Sequence, residues 1–227
     1  MEERRLHLDY PPEGMEDVWR ICRLKIIGRN VSLSHINYKC TLLDIGSNDC
    51  AVTNFLEKEK FEYIGFDISK KALERGKGRN RVLCDVCNLP IKNNVADIII
   101  CAEVLEHIEN PDKLIHEIAR VSKPNAKLLI STPNSEGLFS KMQKLLFTNH
   151  FHNWQNVEFH FQVYTPRKLD ELLGNYGFKI NRKIKSIAFP PFKMIKNKMI
   201  FQAAKLISKL IPPDLQELLI WVVVKAK

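Results

Sequence analysis

The sequence predicts a doubly wound α/β fold, with a mostly parallel sheet covered by helices on both faces. Three observations carry this expectation. Short apolar runs alternate with stretches of helical spacing from residue 16 to residue 134. The runs are almost continuously apolar, as strands buried on both faces must be. Four of them end on an acid, at Asp44, Asp67, Asp85 and Glu103. Ligands of such sheets bind beyond the carboxyl ends of the strands, so acids at four successive strand ends point to a site. The crossovers should be right-handed.

The elements follow in order. "EDVWRICRLKIIG" (16–28) has helical spacing and a closing glycine, so the helix is expected to stop there. "CTLLDIG" (40–46) reads as a buried strand and "AVTNFLEKEK" (51–60) as a helix. "FEYIGFD" (61–67) is the second strand, and "SKKALERGK" is a helix with a serine N-cap signal. "NRVLCD" (80–85) and "VADIIICAE" (95–103) are the third and fourth strands. "NPDKLIHEIARVS" (110–122) is a helix with an Asn cap and an early proline. "AKLLISTPN" (126–134) is the fifth strand. Beyond it, "TPRKLDELLGNYGF" (165–178) has a Thr cap with proline at the first helical position, and "LLIWVVVKAK" closes the chain as a strand. One domain over 1–227 is expected, with an N-terminal extension (1–39), a cofactor core (40–134), an acceptor-side insertion with a basic cap (135–213) and a final strand (214–227).

Composition narrows the function. The 227 residues are 45% hydrophobic, enough for a sizeable core. The start carries charges but no apolar h-region. The longest apolar run, 218–224, is far short of the roughly 20 residues of a membrane span. Cysteines at 22, 40, 50, 84, 87 and 101 read as reduced thiols of a cytoplasmic protein, and the lone C-x-x-C at 84–87 lacks a second pair for zinc. Residues 136–227 hold 15 Lys and Arg against 6 Asp and Glu, the whole of the +9 net charge. That asymmetry fits an anionic acceptor, an anionic surface or a solvated basic face.

The turn "LLDIGSNDCAVTNFL" (42–56) decides which nucleotide is expected. A dinucleotide site needs G-x-G-x-x-G, so that the backbone closes on a pyrophosphate. Here Asn48 and Ala51 replace the later glycines, and Asp49 would repel phosphate. A nucleoside without phosphates needs one close backbone approach, supplied by Gly46. If its tail is cationic, nearby acids help. S-adenosylmethionine fits: adenosine, a sulfonium and an amino-acid tail. Asp67 is then placed to accept from both ribose hydroxyls, and Asp85 from the adenine amino group.

With these pieces assembled, "LLDIGSNDC", "YIGFDIS", "LCDVCNLPI", "ADIIICAEVLEHIENPDKLIHEIARVSKP" and "LLISTPN" resemble the class I S-adenosylmethionine-dependent methyltransferases of the group called methyltransferase type 11. The resemblance covers 41–134 and continues in "YTPRKLDELLGNYGF" (164–178). It implies a Rossmann-like, seven-stranded sheet with a small helical cap. It also implies cofactor roles for Asp44, Gly46 and Asn48 in the first loop, Asp67 and Ile68 at the ribose, Asp85 and Val86 at the adenine, and Cys101 and Glu103 on the floor after strand four. Two positions depart from the pattern. Cys50 replaces a glycine, which is expected to narrow the room near the methionine tail, and "KPNA" (123–126) replaces a glycine turn that Asn tolerates.

Methyl transfer needs alignment, exclusion of water and sometimes a base, but no enzyme nucleophile. His107 is the candidate base. His150, His152, Trp154, His160 and Tyr164 are the candidate acceptor residues, beside Phe159 and Phe161. No carboxylate or cysteine joins these histidines at ligand spacing, so no metal is expected. The basic amphipathic stretch 192–211 is expected to cover the acceptor site, and such a stretch also suits an anionic membrane surface. The expected acceptor is a small or lipid-like molecule, and the expected place is the cytoplasm, with peripheral membrane contact as the finer expectation. The alternatives are an RNA or protein methyltransferase using the basic C-terminal part, and a non-catalytic cofactor-binding subunit. No RNA-binding module accompanies the domain, which argues against nucleic acid. No feature points to an oligomeric state.

Overall fold

The computed structural model describes residues 15–32, 39–76, 80–138, 140–141, 161–186 and 209–226. Seven strands form one sheet in the order β3-β2-β1-β4-β5-β7-β6. At its centre β1 (Cys40–Ile45) pairs in parallel with β2 (Phe61–Asp67) on one side and β4 (Ala96–Ala102) on the other. β3 (Arg81–Leu83) extends β2, and β5 (Ser122–Pro133) extends β4, again in parallel. β7 (Leu218–Lys225) runs antiparallel between β5 and β6 (Phe178–Lys183). The chain moves outward from β1 to β3 and then returns to the far side of β1 as β4. That reversal makes the β1–β4 gap the crevice where such sheets bind ligands.

The strands are apolar on both faces because both faces are covered. Leu43, Ile45, Ile99, Leu128 and Ile130 belong to the core that includes α3 (Pro111–Val121) and α4 (Pro166–Asn175). Cys40, Leu42, Ile98, Ile100 and Leu129 meet Ile27 and Val31 of α1 (Met15–Ser32) on the other face. The expected caps form. Ser69 accepts from the Ala72 amide (3.1 Å) ahead of α2 (Lys70–Arg75), Asn110 from Lys113 (3.3 Å) and Thr165 from Lys168 (3.1 Å). Each such cap contributes about 1 kcal/mol. Lys225 of the last strand donates to the carbonyls of Ala119 (2.6 Å) and Ser122 (2.8 Å), closing the C-terminus of α3.

Four local expectations change. Residues 51–60 form two short 3₁₀ turns, Ala51–Phe55 and Lys58–Lys60, instead of an α-helix. Cys50 leads in with a left-handed φ of 58°, and Thr53 turns its amide and hydroxyl onto the Cys50 carbonyl, which favours the tighter turn. Helix α1 does not stop at Gly28 but runs on to Ser32. That glycine serves packing: a Cβ there would lie 2.6 Å from both Cβ and O of Phe55. β3 ends at Leu83, so Asp85 stands beyond the strand. β5 starts earlier, at Ser122, and absorbs the changed turn through Asn125 at φ 64° and a register shift against Ala96–Ile98. Asn is among the few residues that hold that conformation readily.

Gly28→Ala should therefore destabilise the protein although it raises helix propensity. The expected loss is about 1–3 kcal/mol from overpacking against Phe55, read as a lower midpoint in urea. An unchanged or higher midpoint would show that the two backbones can separate freely.

Candidate cofactor and acceptor site

The site begins at the turn that leaves β1. Gly46, Asn48 and Cys50 all have positive φ, at 68°, 49° and 58°. This winds the backbone over the end of β2, where the Ser47 amide donates to the Phe66 carbonyl (2.9 Å). Gly46 also faces the loop after β4. A Cβ there would lie 2.2 Å from Cγ2 of Val104, so the walls of the crevice nearly touch at this point.

Asp67, the last residue of β2, is 9% exposed and held from both sides. Its Oδ2 accepts from the Asn48 amide and its Oδ1 from the Ser69 amide, both at 2.8 Å. Each oxygen keeps a second lone pair for a ligand. Beside it, Ile68 is 55% exposed and offers an apolar face at the strand end. Asp85 is exposed and accepts from the Cys87 amide (2.8 Å), folding 85–88 into a turn in which Val86 is buried. Glu117 and Arg120 of α3 bind the loop that follows through Leu89, Ile91 and Asn93. Burial and the neighbouring acid push the thiols of Cys84 and Cys87 up to about 11, so they remain protonated.

Asp44 is only 5% exposed. Its Oδ2 accepts from the Tyr63 hydroxyl at 2.6 Å, its Oδ1 has no hydrogen-bond partner, and no cation pairs with it among the described residues. Burial pushes its carboxyl up to about 7, opposed by the tyrosine bond and assisted by Asp67 and Asp49. An acid raised in this way costs stability when it ionises. Its contribution is complete below the ordinary value of 3.8 and is lost as pH rises through about 7. The arrangement is thus deficient in positive charge.

Across the crevice, Glu103 follows β4 with a left-handed φ of 56°. It accepts from Ser131 Oγ (2.9 Å) and faces Arg23 of α1 (3.3 Å). Glu106 is buried and accepts from Thr132 (3.0 Å), and burial beside Glu103 holds its carboxyl well above the usual range. Arg20 of α1 pairs with Asp49 in the first turn. Helix α1 is therefore tied to both walls of the crevice.

The other expected residues are placed as follows. Cys101 lies within β4, fully buried in the core, and its thiol is driven far up by burial. Cys50 does not narrow the ligand side, because its thiol turns inward to Ser47 Oγ (3.8 Å) and Tyr63. His107 closes a 3₁₀ turn at 105–107 after β4 and is half-buried. Tyr164 is fully buried, bridges to Asn134 through its backbone, and backs a cavity of about 580 Å³ between the starts of α3 and α4. Neither Asp44, Asp67 nor Glu103 lines that cavity. His150, His152, Trp154, His160 and nearly all of 192–211 lie outside the described residues. Among those described, no group of three ligating side chains can hold a metal.

Sequence reading passed over Tyr63, Arg20 and Arg23. The signals were present: a phenol on a central strand needs a partner, and two arginines three apart share one helix face. The residues present suit a ligand with ribose hydroxyls and a cationic tail. Asp67 has free lone pairs, and Asp44 holds a nearly buried oxygen that accepts from no donor among the described residues.

The chain matches the family described as a methyltransferase domain over residues 18–183. It is 37% identical over 101 residues to uncharacterized protein MJ0638 of Methanocaldococcus jannaschii, a match spanning 44% of each chain. The ubiquinone biosynthesis O-methyltransferase of Rickettsia canadensis is 25% identical over 183 residues, 74% of each chain. A Thermotoga maritima crystal structure described as a SAM-dependent methyltransferase, possible histamine N-methyltransferase, shares the fold with a TM-score of 0.65 at 14% identity, over 93% of this chain and 94% of that one. The order of the sheet, the acid-lined crevice and these likenesses agree, and the chain belongs to the methyltransferase-domain family as an S-adenosylmethionine-dependent enzyme of the class I fold.

Proposed function

We propose that the enzyme methylates a small-molecule or lipid-like acceptor. The observation that carries this is the form of the crevice. It is pinched at Gly46 and Val104, lined by carboxylates and roofed by α1 through Arg20 and Arg23. The likeness to a ubiquinone biosynthesis O-methyltransferase at 25% identity supports a small acceptor bearing a hydroxyl.

Bound S-adenosylmethionine supplies an electrophilic methyl group on a positively charged sulfur. The chain's task is then to hold and align. Asp67 is proposed to take the ribose hydroxyls, Ile68 and Val86 to pack on the adenine, and Asp85 to receive its amino group. Asp44 and the Asn48 turn are proposed to meet the cationic tail. On the acceptor side His107 is proposed to take the proton of a hydroxyl, and His150, His152, Trp154, His160 and Tyr164 to shape the pocket. The stretch 192–211 is proposed as the cover over it and as the part that meets an anionic membrane surface. No helix among the described residues is long and apolar enough to cross a membrane.

Asp67→Ala should fold normally and lose most of its affinity for S-adenosylmethionine. Each hydrogen bond to a charged group is worth about 1.5–3 kcal/mol, so a loss of at least tenfold is expected in calorimetry. Unchanged affinity would move the ribose elsewhere.

The acceptor class is tested by incubating the enzyme with methyl-labelled S-adenosylmethionine and cell extract, then separating small molecules, lipids, RNA and protein. Label in the low-mass or lipid fraction is expected. Label confined to RNA or protein would overturn the proposal.

A further inference from the structure

The Asp44–Tyr63 pair has no part in the roles assigned above beyond its acid. Tyr63 pairs in register with Leu42 of β1, so its ring shares a face with Asp44 beneath the 46–50 turn. The hydroxyl has one proton, and it is committed to Asp44 Oδ2 at 2.6 Å. The Cys50 thiol lies beside it, donates to Ser47 Oγ (3.8 Å) and is kept protonated by burial. Gly65 keeps this space open, since a Cβ there would lie 2.7 Å from Ser47 Oγ and 2.9 Å from the Tyr63 hydroxyl.

The other charges around Asp44 do not supply a counter-ion. Asp67 at the end of β2 and Asp49 in the turn are both acids. Cys101 approaches from β4 as a neutral thiol. Arg20 is taken by Asp49 and Arg23 by Glu103. Tyr63 is therefore the one described group that favours the charged form of this carboxylate.

We propose that Tyr63 is a positioning residue for the cofactor, whose hydroxyl orients the Asp44 carboxylate and favours its anionic form, so that the free oxygen receives the cationic tail of S-adenosylmethionine. Tyr63 touches no ligand and acts through Asp44. The inference rests on the reading that Asp44 faces the cofactor. When Asp44 is protonated, binding of the cation releases that proton to solvent, so affinity rises with pH through about 7.

The test is calorimetry of S-adenosylmethionine binding between about pH 6 and pH 9 for the wild type, Tyr63→Phe and Asp44→Asn. Tyr63→Phe keeps the ring and removes the bond. Its affinity midpoint should move up by about one pH unit, giving about tenfold weaker binding at pH 6.5 and near-equal binding at pH 9. The ligand's own titration is common to both proteins and cancels. Asp44→Asn should bind weakly throughout. A folded Tyr63→Phe with the wild-type profile, or with one constant loss at every pH, overturns the positioning role. Wild-type affinity in Asp44→Asn overturns instead the reading of Asp44. The wild type alone gives a further check: at about pH 6.5, binding heats in buffers of different ionisation enthalpy should show proton release, and its absence would also sink the proposal.

Discussion

The chain leaves β1 through three left-handed residues in five, and the geometry of the site follows from that turn. Because the backbone winds over the end of β2, the Asn48 amide reaches Asp67 and the Ser47 amide reaches Phe66. The same winding brings Gly46 against Val104 and leaves Asp44 beneath the loop. A regular helix starting directly after β1 would meet none of these contacts. The turn thus sets the width of the crevice, the direction of the Asp67 carboxylate and the burial of Asp44 together.

Much of this was legible in the sequence. The alternation of strands and helices, the caps at Ser69, Asn110 and Thr165, and the acid at the end of β2 are local signals that tertiary structure had no reason to override. The single-glycine first loop pointed to S-adenosylmethionine, the cofactor of the methyltransferase-domain family to which the chain belongs. What escaped reading depended on contacts remote in the chain. Gly28 resembles a helix stop until Phe55 is known to lie against it. Residues 51–60 have helical composition, but the left-handed Cys50 and the proximity of α1 leave room only for 3₁₀ turns. The inward direction of the Cys50 thiol and the burial of Cys101 likewise follow from which face of β1 and β4 each neighbour covers, which composition does not state.

Cys50 shows how a substitution that conflicts with local preference can be accommodated. A non-glycine residue in the left-handed region costs about 1–2 kcal/mol. Burying a thiol as a small apolar group returns about the same amount, near 1 kcal/mol for each methylene-sized group removed from water. The thiol is 1% exposed and sits against Ser47, Tyr63 and Gly76, so the exchange is close to even. A glycine would fit the backbone better but would leave the Tyr63 hydroxyl facing a void. The departure from the usual loop is in this way coupled to the tyrosine on the next strand.

The chain concentrates like charge around the turn that leaves β1 and the loop that leaves β4. Asp67 and Asp49 lie close enough to raise the cost of ionising Asp44, and Glu103 does the same to Glu106. Among the described residues, Asp49 and Glu103 are each paired with an arginine of α1, and Asp44 is not. Helix α1 answers two acids with Arg20 and Arg23 and holds the rims of the crevice together, while Asp44 between them has no cation among the described residues. Such a site gives up stability when empty and recovers it on binding, so cofactor occupancy and folding free energy rise together. It also explains why α1 precedes the sheet in sequence yet closes over its opposite end: its buried half, around Ile27 and Val31, anchors it to the core, and its arginine half reaches the mouth.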